Sequence, residues 1–249
     1  VEAIIAILLG AASVAWWQRI RRKPVALEDF LDADAQVALH VAEHAQRSRD
    51  QATLAASHML YGLIQDERIA TAIRATGGDL EALEDGVLAA IDAPADHQRA
   101  ITADARAMLM YAVGSAHSHQ RKVSSTDLWA YLLRTDAGAL LSAGKVDGLA
   151  VLHVLVHAAP LPALLDGMGD VHVMLRNDDY TPQEFVTHLL VHVFGLPAAE
   201  ATAKMMTTHT DGKALLVRLP VSVAHDKIRH ARELARAEHF PLWIAAEPT

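Results

Sequence analysis

The sequence predicts a mainly α protein: a duplicated helical bundle, then a small α/β domain of order β-α-α-β-α-β, with an apolar helix ahead of both. Three observations carry this. Alanine and leucine are abundant, while aromatic residues make up only 5% of the 249 residues, which favours helix over sheet. Two stretches echo each other at an offset close to 70 residues, a spacing suited to a duplicated bundle. Apolar alternation of the strand kind begins at Val171, Val173 and Leu175, after the helical region has ended. With 52% apolar residues the chain can bury two modest cores.

Ala3 to Trp17 is almost wholly apolar, and Trp16 and Trp17 lead into Arg19, Arg21, Arg22 and Lys23. Cations placed after an apolar run mark the cytoplasmic side of a membrane, and tryptophans suit its interface. A cleaved signal peptide carries its charges ahead of the run instead. Residues 1–24 are therefore expected to be a membrane anchor with a basic flank, placing the rest on the cytoplasmic face of the inner (cell) membrane. The run is shorter than the roughly 20 residues of a full span. The alternative is an amphipathic or buried helix on a cytoplasmic protein.

Residues 27–157 read as helix throughout, with breaks at Gly77-Gly78 and Asp92-Ala93-Pro94. Asp32-Ala33-Asp34-Ala35-Gln36 is echoed by Thr102-Ala103-Asp104-Ala105-Arg106, and Ser57 to Ile64 by Thr126 to Leu133. In each half a polar residue is expected to cap a helix with a leucine-rich face. Pro160, Pro162, Gly167 and Gly169 mark a linker over 158–170.

The second domain is expected over 171–249. A strand from Val171 ends at the turn Asn177-Asp178-Asp179-Tyr180. Thr181-Pro182-Gln183-Glu184 is a helix start, with Thr181 as cap and Glu184 completing a capping box. Phe185, Val186, Leu189, Leu190 and Val193 form the apolar face of that helix, and Gly195 stops it. Pro197 opens a helix to about His209, and a strand runs from Lys213 to Leu219. Pro220 opens a third helix with Ala224, Ile228, Ala231 and Leu234 on one side, and Pro241 to Ile244 is a last strand.

The duplicated region resembles the N-terminal domain of the Clp unfoldases, two copies of a four-helix repeat that serve as a docking surface. No G-x-x-x-x-G-K-[ST] loop occurs, so the ATPase motor that normally follows that domain is missing from the chain. Leu175 to Val186, with its core Asn177-Asp178-Asp179-Tyr180-Thr181-Pro182, resembles the signature of the ClpS family of N-degron adaptors. His209-Thr210-Asp211-Gly212-Lys213-Ala214 and Pro241-Leu242 match its later segments in register. The resemblance implies a binding activity without catalysis. The partners it implies are substrate proteins bearing large hydrophobic N-terminal residues and the N-domain of a Clp-type AAA+ unfoldase.

A free α-amine has a pKa of about 7.7–8.0 and is largely cationic at neutral pH, so a reader of N-termini needs a carboxylate and acceptors in a partly dry site. By the resemblance, Asn177, Asp178 and His209 hold the amine, with His209 accepting as the neutral imidazole. Thr181, Gln183, Val186, Met205, Thr208 and Leu242 would surround the first side chain, and Lys227 matches a position that contacts the unfoldase. Burying a Leu or Phe side chain contributes about 1.5–3 kcal/mol. Gln183 stands where many members have methionine, and Thr208 where an apolar β-branched residue is frequent. Both are expected to bring polar atoms to the rim and change the preference among large apolar residues. Equal affinities of the native protein and Gln183→Met for a panel of peptides would refute that.

Other readings stay open. Asn177 and Asp178 are turn formers in their own right. A scaffold that binds Clp components without reading N-termini fits the same surfaces. A metal-dependent enzyme would need the pairs His188/His192 and His117/His119, which lack a clear third ligand; no cofactor or metal is expected. A net charge of −8 disfavours a nucleic-acid partner. The absence of cysteine removes disulfides, thiolate metal sites and cysteine nucleophiles, and fits a reducing compartment. A flexible linker would also let the two domains dock on each other and mask the unfoldase contact.

Overall fold

The structure is a computed structural model that describes residues 27–93 and 100–249. The membrane helix expected over 1–24 lies outside the described residues; among these, no single helix is long and apolar enough to cross a membrane. The chain divides into two compact units, Val1–Gly148 and Leu149–Thr249. The division falls earlier than the linker expected at 158–170.

The first unit is helical: α1 (Ala33–Arg47), α2 (Ala56–Ile64), α3 (Glu67–Ala75), α4 (Leu80–Asp92), α5 (Ala103–Ser118) and α6 (Ser125–Leu132), then a 3-10 segment, Asp136–Gly144. Asp32 opens α1 by accepting from the Ala35 amide at 2.8 Å. Ala35, Ala38, Leu39, Ala42 and Ala45 bury one face of that helix. The small residues allow close approach: a Cβ on Gly62 of α2 would lie 2.0 Å from the Ala38 carbonyl oxygen. Trp129 is fully buried and donates its indole N–H to the Gly148 carbonyl at 3.0 Å.

The repeat is visible as two parallel bridges, Leu31 with Val123 and Leu54 with Ile101. The segment before the first helix of each half pairs with the segment before the second helix of the other. The Asp32 amide donates to Val123 and that of Val123 to Phe30, both at 2.8 Å; Leu54 donates to Ala100 and Thr102 to Leu54, both at 3.0 Å. The capping expected at Ser57 and Thr126 is corrected. Both lie inside helices, and Ser124 opens α6 in a capping box with Asp127. At α2 the cap is Ala55, whose amide donates to His58 Nδ1 at 3.1 Å.

In the second unit, α7 (Gly148–His157), whose first residue closes the first unit, precedes β1 (Asp170–Arg176), α8 (Gln183–His192), α9 (Ala198–Asp211), β2 (Lys213–Pro220), α10 (Val221–Ala237) and β3 (Trp243–Pro248). The sheet is antiparallel in order β2-β1-β3, with Arg176 paired to Trp243 and to Lys213. Val171, Val173 and Leu175 point into a core shared with Val186, Leu189, Leu190, Met205 and Ile228. The expected order β-α-α-β-α-β is present, preceded by α7.

Four local expectations change. Thr181 does not cap α8: its hydroxyl donates to Asp178, and Pro182 is the cap residue with no side-chain bond. Ala235, rather than the exposed Leu234, continues the buried face of α10. The last strand begins at Trp243, after Pro241 and Leu242. The linker is tied down within its own unit, because Pro162 accepts from Arg232 at 2.9 Å and Leu164 and Leu165 pack against the core.

Candidate functional site

β1 ends at Arg176, and the next residues form the turn the sequence singled out. The Asn177 amide donates to the Gly212 carbonyl at 2.8 Å, joining this turn to the end of α9. Gly212 is left-handed, with φ of 80°, and no atom lies within 4 Å of a Cβ built there. Gly212→Ala therefore costs backbone strain alone, about 1–2 kcal/mol. We expect thermal denaturation to show that loss.

Asp178 organises the turn. One carboxylate oxygen accepts from the amides of Tyr180 at 2.8 Å and Thr181 at 2.6 Å; the other accepts from the Thr181 hydroxyl at 2.9 Å. Burial nevertheless pushes its pKa up to about 6, overcoming these three bonds, and the neighbouring Asp179 charge adds to the rise. His209, exposed near the end of α9, places Nδ1 3.4 Å from Asn177 Oδ1. A carboxamide oxygen can only accept, so His209 Nδ1 donates and Nε2 of the neutral ring keeps its lone pair. Asn177 and Asp178, which follow the end of the central strand β1, and His209 are thereby gathered at one end of the sheet.

Val186, Met205 and Leu242 lie in the core of the same unit, between 2% and 8% exposed. Phe185 meets Phe240 edge-on at 4.9 Å. Gln183 is exposed in the first turn of α8. Thr208 is buried, and its hydroxyl donates to the Lys204 carbonyl one turn back at 2.9 Å. That removes the polar rim expected from Thr208, because its O–H is engaged within its own helix. Lys227 donates to the carbonyl of Val193 at the end of α8, and its ammonium is 6.0 Å from the Phe194 ring. It is a partly buried helix cap at the position that the resemblance assigns to the unfoldase contact.

The His188 and His192 rings lie with centroids 4.1 Å apart, tilted by 38°. Among the described residues no group of three His, Asp or Glu side chains is placed to hold a metal. The sequence reading did not single out the groups that brace Leu242. His157 donates to the Pro241 carbonyl at 2.9 Å, and Arg232 donates twice to that of Ile244, at 3.0 and 2.7 Å. Burial lowers the His157 pKa, against the raising effect of the Pro241 bond and with the Arg176 charge adding to the fall. Burial also brings Arg232 down to about 10, which leaves it cationic at neutral pH.

The family model for ATP-dependent Clp protease adaptor protein ClpS matches residues 168–245. ATP-dependent Clp protease adapter protein ClpS 2 of Agrobacterium fabrum is 42% identical over 76 residues, 30% of this chain and 74% of that protein. The structure of Agrobacterium tumefaciens ClpS2 bound to L-phenylalaninamide aligns with 32% of this chain and 96% of its own, at 40% identity and a TM-score of 0.31. The N-terminal domain of the caseinolytic protease associated chaperone ClpD from Arabidopsis thaliana aligns with 48% of this chain and 94% of its own, at 14% identity and a TM-score of 0.36. Through its C-terminal unit, the chain belongs to the ClpS family of ATP-dependent Clp protease adaptor proteins.

Proposed function

We propose that the protein is an adaptor that binds large hydrophobic N-terminal residues and delivers the substrates bearing them to a Clp-type AAA+ unfoldase. The observation that carries this reading is the gathering of Asn177, Asp178 and His209 beside an apolar core that includes Val186, Met205 and Leu242. Asp178 supplies the charge that tells a cationic α-amine from a neutral peptide nitrogen. His209 Nε2 and the remaining lone pair of Asn177 Oδ1 supply acceptors. The related adaptor that carries L-phenylalaninamide supports an aromatic first residue with a free amine. The activity is binding; the first unit is a docking surface for a Clp component, and residues 1–24 tether the whole to a membrane.

The test is binding of fluorescent peptides that differ only in their first residue. Leu, Phe, Tyr and Trp should bind at micromolar concentration, and Val, Gly and an N-acetylated control should not. No binding by any peptide would favour a scaffold that contacts Clp components without reading N-termini.

A pH profile follows from Asp178. Its pKa of about 6 lies above the free carboxylate range, so the empty site is protonated below about 6. A cationic amine binds only the ionised carboxylate, so affinity falls by up to about tenfold per pH unit as pH drops below 6. Above about 8 the peptide amine itself loses its proton. Fluorescence anisotropy across pH 5 to 9 should therefore show a plateau between roughly 6 and 8. The sign for folding is opposite. A raised carboxylate pKa lends stability at acid pH, and that contribution is lost as pH rises through about 4 to about 6.

A further inference from the structure

Two residues beside the site are linked by a contact that no part of the reading above uses. Arg176 is the last residue of β1, and Trp243 is the first of β3; they are the terminal pair of that ladder. The Arg176 guanidinium carbon sits 4.0 Å from the centroid of the Trp243 ring, and Trp243 is 3% exposed. A guanidinium stacked on a largely desolvated indole is a strong form of cation–π contact. Arg176 alternates with Leu175, which lies in the core, so its side chain leaves the opposite face of the sheet.

Position gives this contact its meaning. Asn177, the next residue after Arg176, carries part of the candidate amine site. Leu242, just before Trp243, carries part of the candidate side-chain wall. Toward β2, Asn177 is fixed by the Gly212 carbonyl. Further along β3, Arg232 holds Ile244. The terminal pair of an antiparallel ladder is where fraying starts, and here both chains leave the sheet as site residues. A rigid tie at that pair sets the separation of the amine and side-chain subsites.

We propose that Arg176 is a positioning residue: by stacking on Trp243 it fixes Asn177 relative to Leu242, a role that rests on the N-terminal-residue reading of the site. Arg176 does not touch the substrate. It acts through the backbone of Asn177, so its effect depends on Asn177 being present. A lysine keeps the cation but loses the planar stack, and glutamine loses both.

The test uses the whole protein and the variants Arg176→Gln and Arg176→Lys, alone and with Asn177→Ala. Amide hydrogen exchange at Asn177 is read without any ligand, beside the thermal midpoint and the affinity for a Phe-initiated peptide. Arg176→Gln should speed exchange at Asn177 by about tenfold and weaken peptide binding by about tenfold, and Arg176→Lys should recover most of both. Added to Asn177→Ala, Arg176→Gln should cost no further affinity. Unchanged exchange at Asn177 overturns the proposal, as does an equal loss in the Asn177→Ala background. If exchange quickens while the native protein binds no peptide, the adaptor reading falls and Arg176 is left as a strand tie with no part in recognition.

Discussion

Asp178→Asn should abolish the distinction between a free and an acetylated N-terminus. Asparagine keeps an oxygen that can accept from the Tyr180 and Thr181 amides, so the turn survives. The Thr181 hydroxyl, which donates to Asp178, can instead accept from the new amide group. What disappears is the charge. Hydrogen bonds to charged groups contribute about 1.5–3 kcal/mol, so a Phe-initiated peptide should lose about a hundredfold in affinity. The acetylated peptide should be indifferent to the change. The midpoint of thermal unfolding at neutral pH should rise slightly, because a buried charge held against its own desolvation has been removed. A parallel fall in affinity and in melting temperature would mean the turn itself had collapsed, which would remove the support for a charge-reading role.

The second large effect lies in the first unit. The Asp127 side chain is fully buried and accepts from Arg121 through two bonds, at 2.5 and 2.8 Å. It also accepts from the Ser124 amide and hydroxyl, each at 2.7 Å. Burial alone would raise its pKa; the bonds from Arg121 and Ser124, with the Arg121 charge, outweigh that and hold it below the usual carboxylate range. Removing one partner of such a pair costs about 3–5 kcal/mol, and Asp127→Ala also breaks the capping box that starts α6. We expect the lower half of that range by chemical denaturation, since Arg121 keeps access to water. The depressed pKa sets the sign with pH: the contribution is complete above about 4 and vanishes as pH falls through the lower folded value. The native protein should therefore lose stability in acid below pH 4, and Asp127→Ala should lose much less there.

These cases show what the sequence could and could not carry. The turn at Asn177, the stop at Gly195 and the helix beginnings after Pro182, Pro197 and Pro220 were legible because each rests on local chemistry. The internal echo near Leu31 and Ile101 was legible as repetition, but its reciprocal pairing was not. The second role of Asp178 as the holder of its own turn lay within three residues and could have been read from an Asx pattern. Lys227 as a helix cap, Arg232 on Ile244 and Arg176 over Trp243 could not. Each joins elements whose packing the hydrophobic pattern leaves undetermined, and an exposed lysine is the default expectation on any amphipathic helix. The anchoring of Pro162, Leu164 and Leu165 escaped for a related reason: proline and glycine announce a connection but do not say whether its leucines find a core.

The crossed pairing of the two halves has one more consequence. Backbone groups at Asp32, Leu54, Thr102 and Val123 find their partners across the repeat rather than within it. A copy taken alone would leave those groups without these partners, which is costly for a segment so short. What looks in sequence like two interchangeable modules is thus one indivisible folding unit. Duplication has here produced interdependence, and any surface the unit offers to a partner stands or falls with both copies at once.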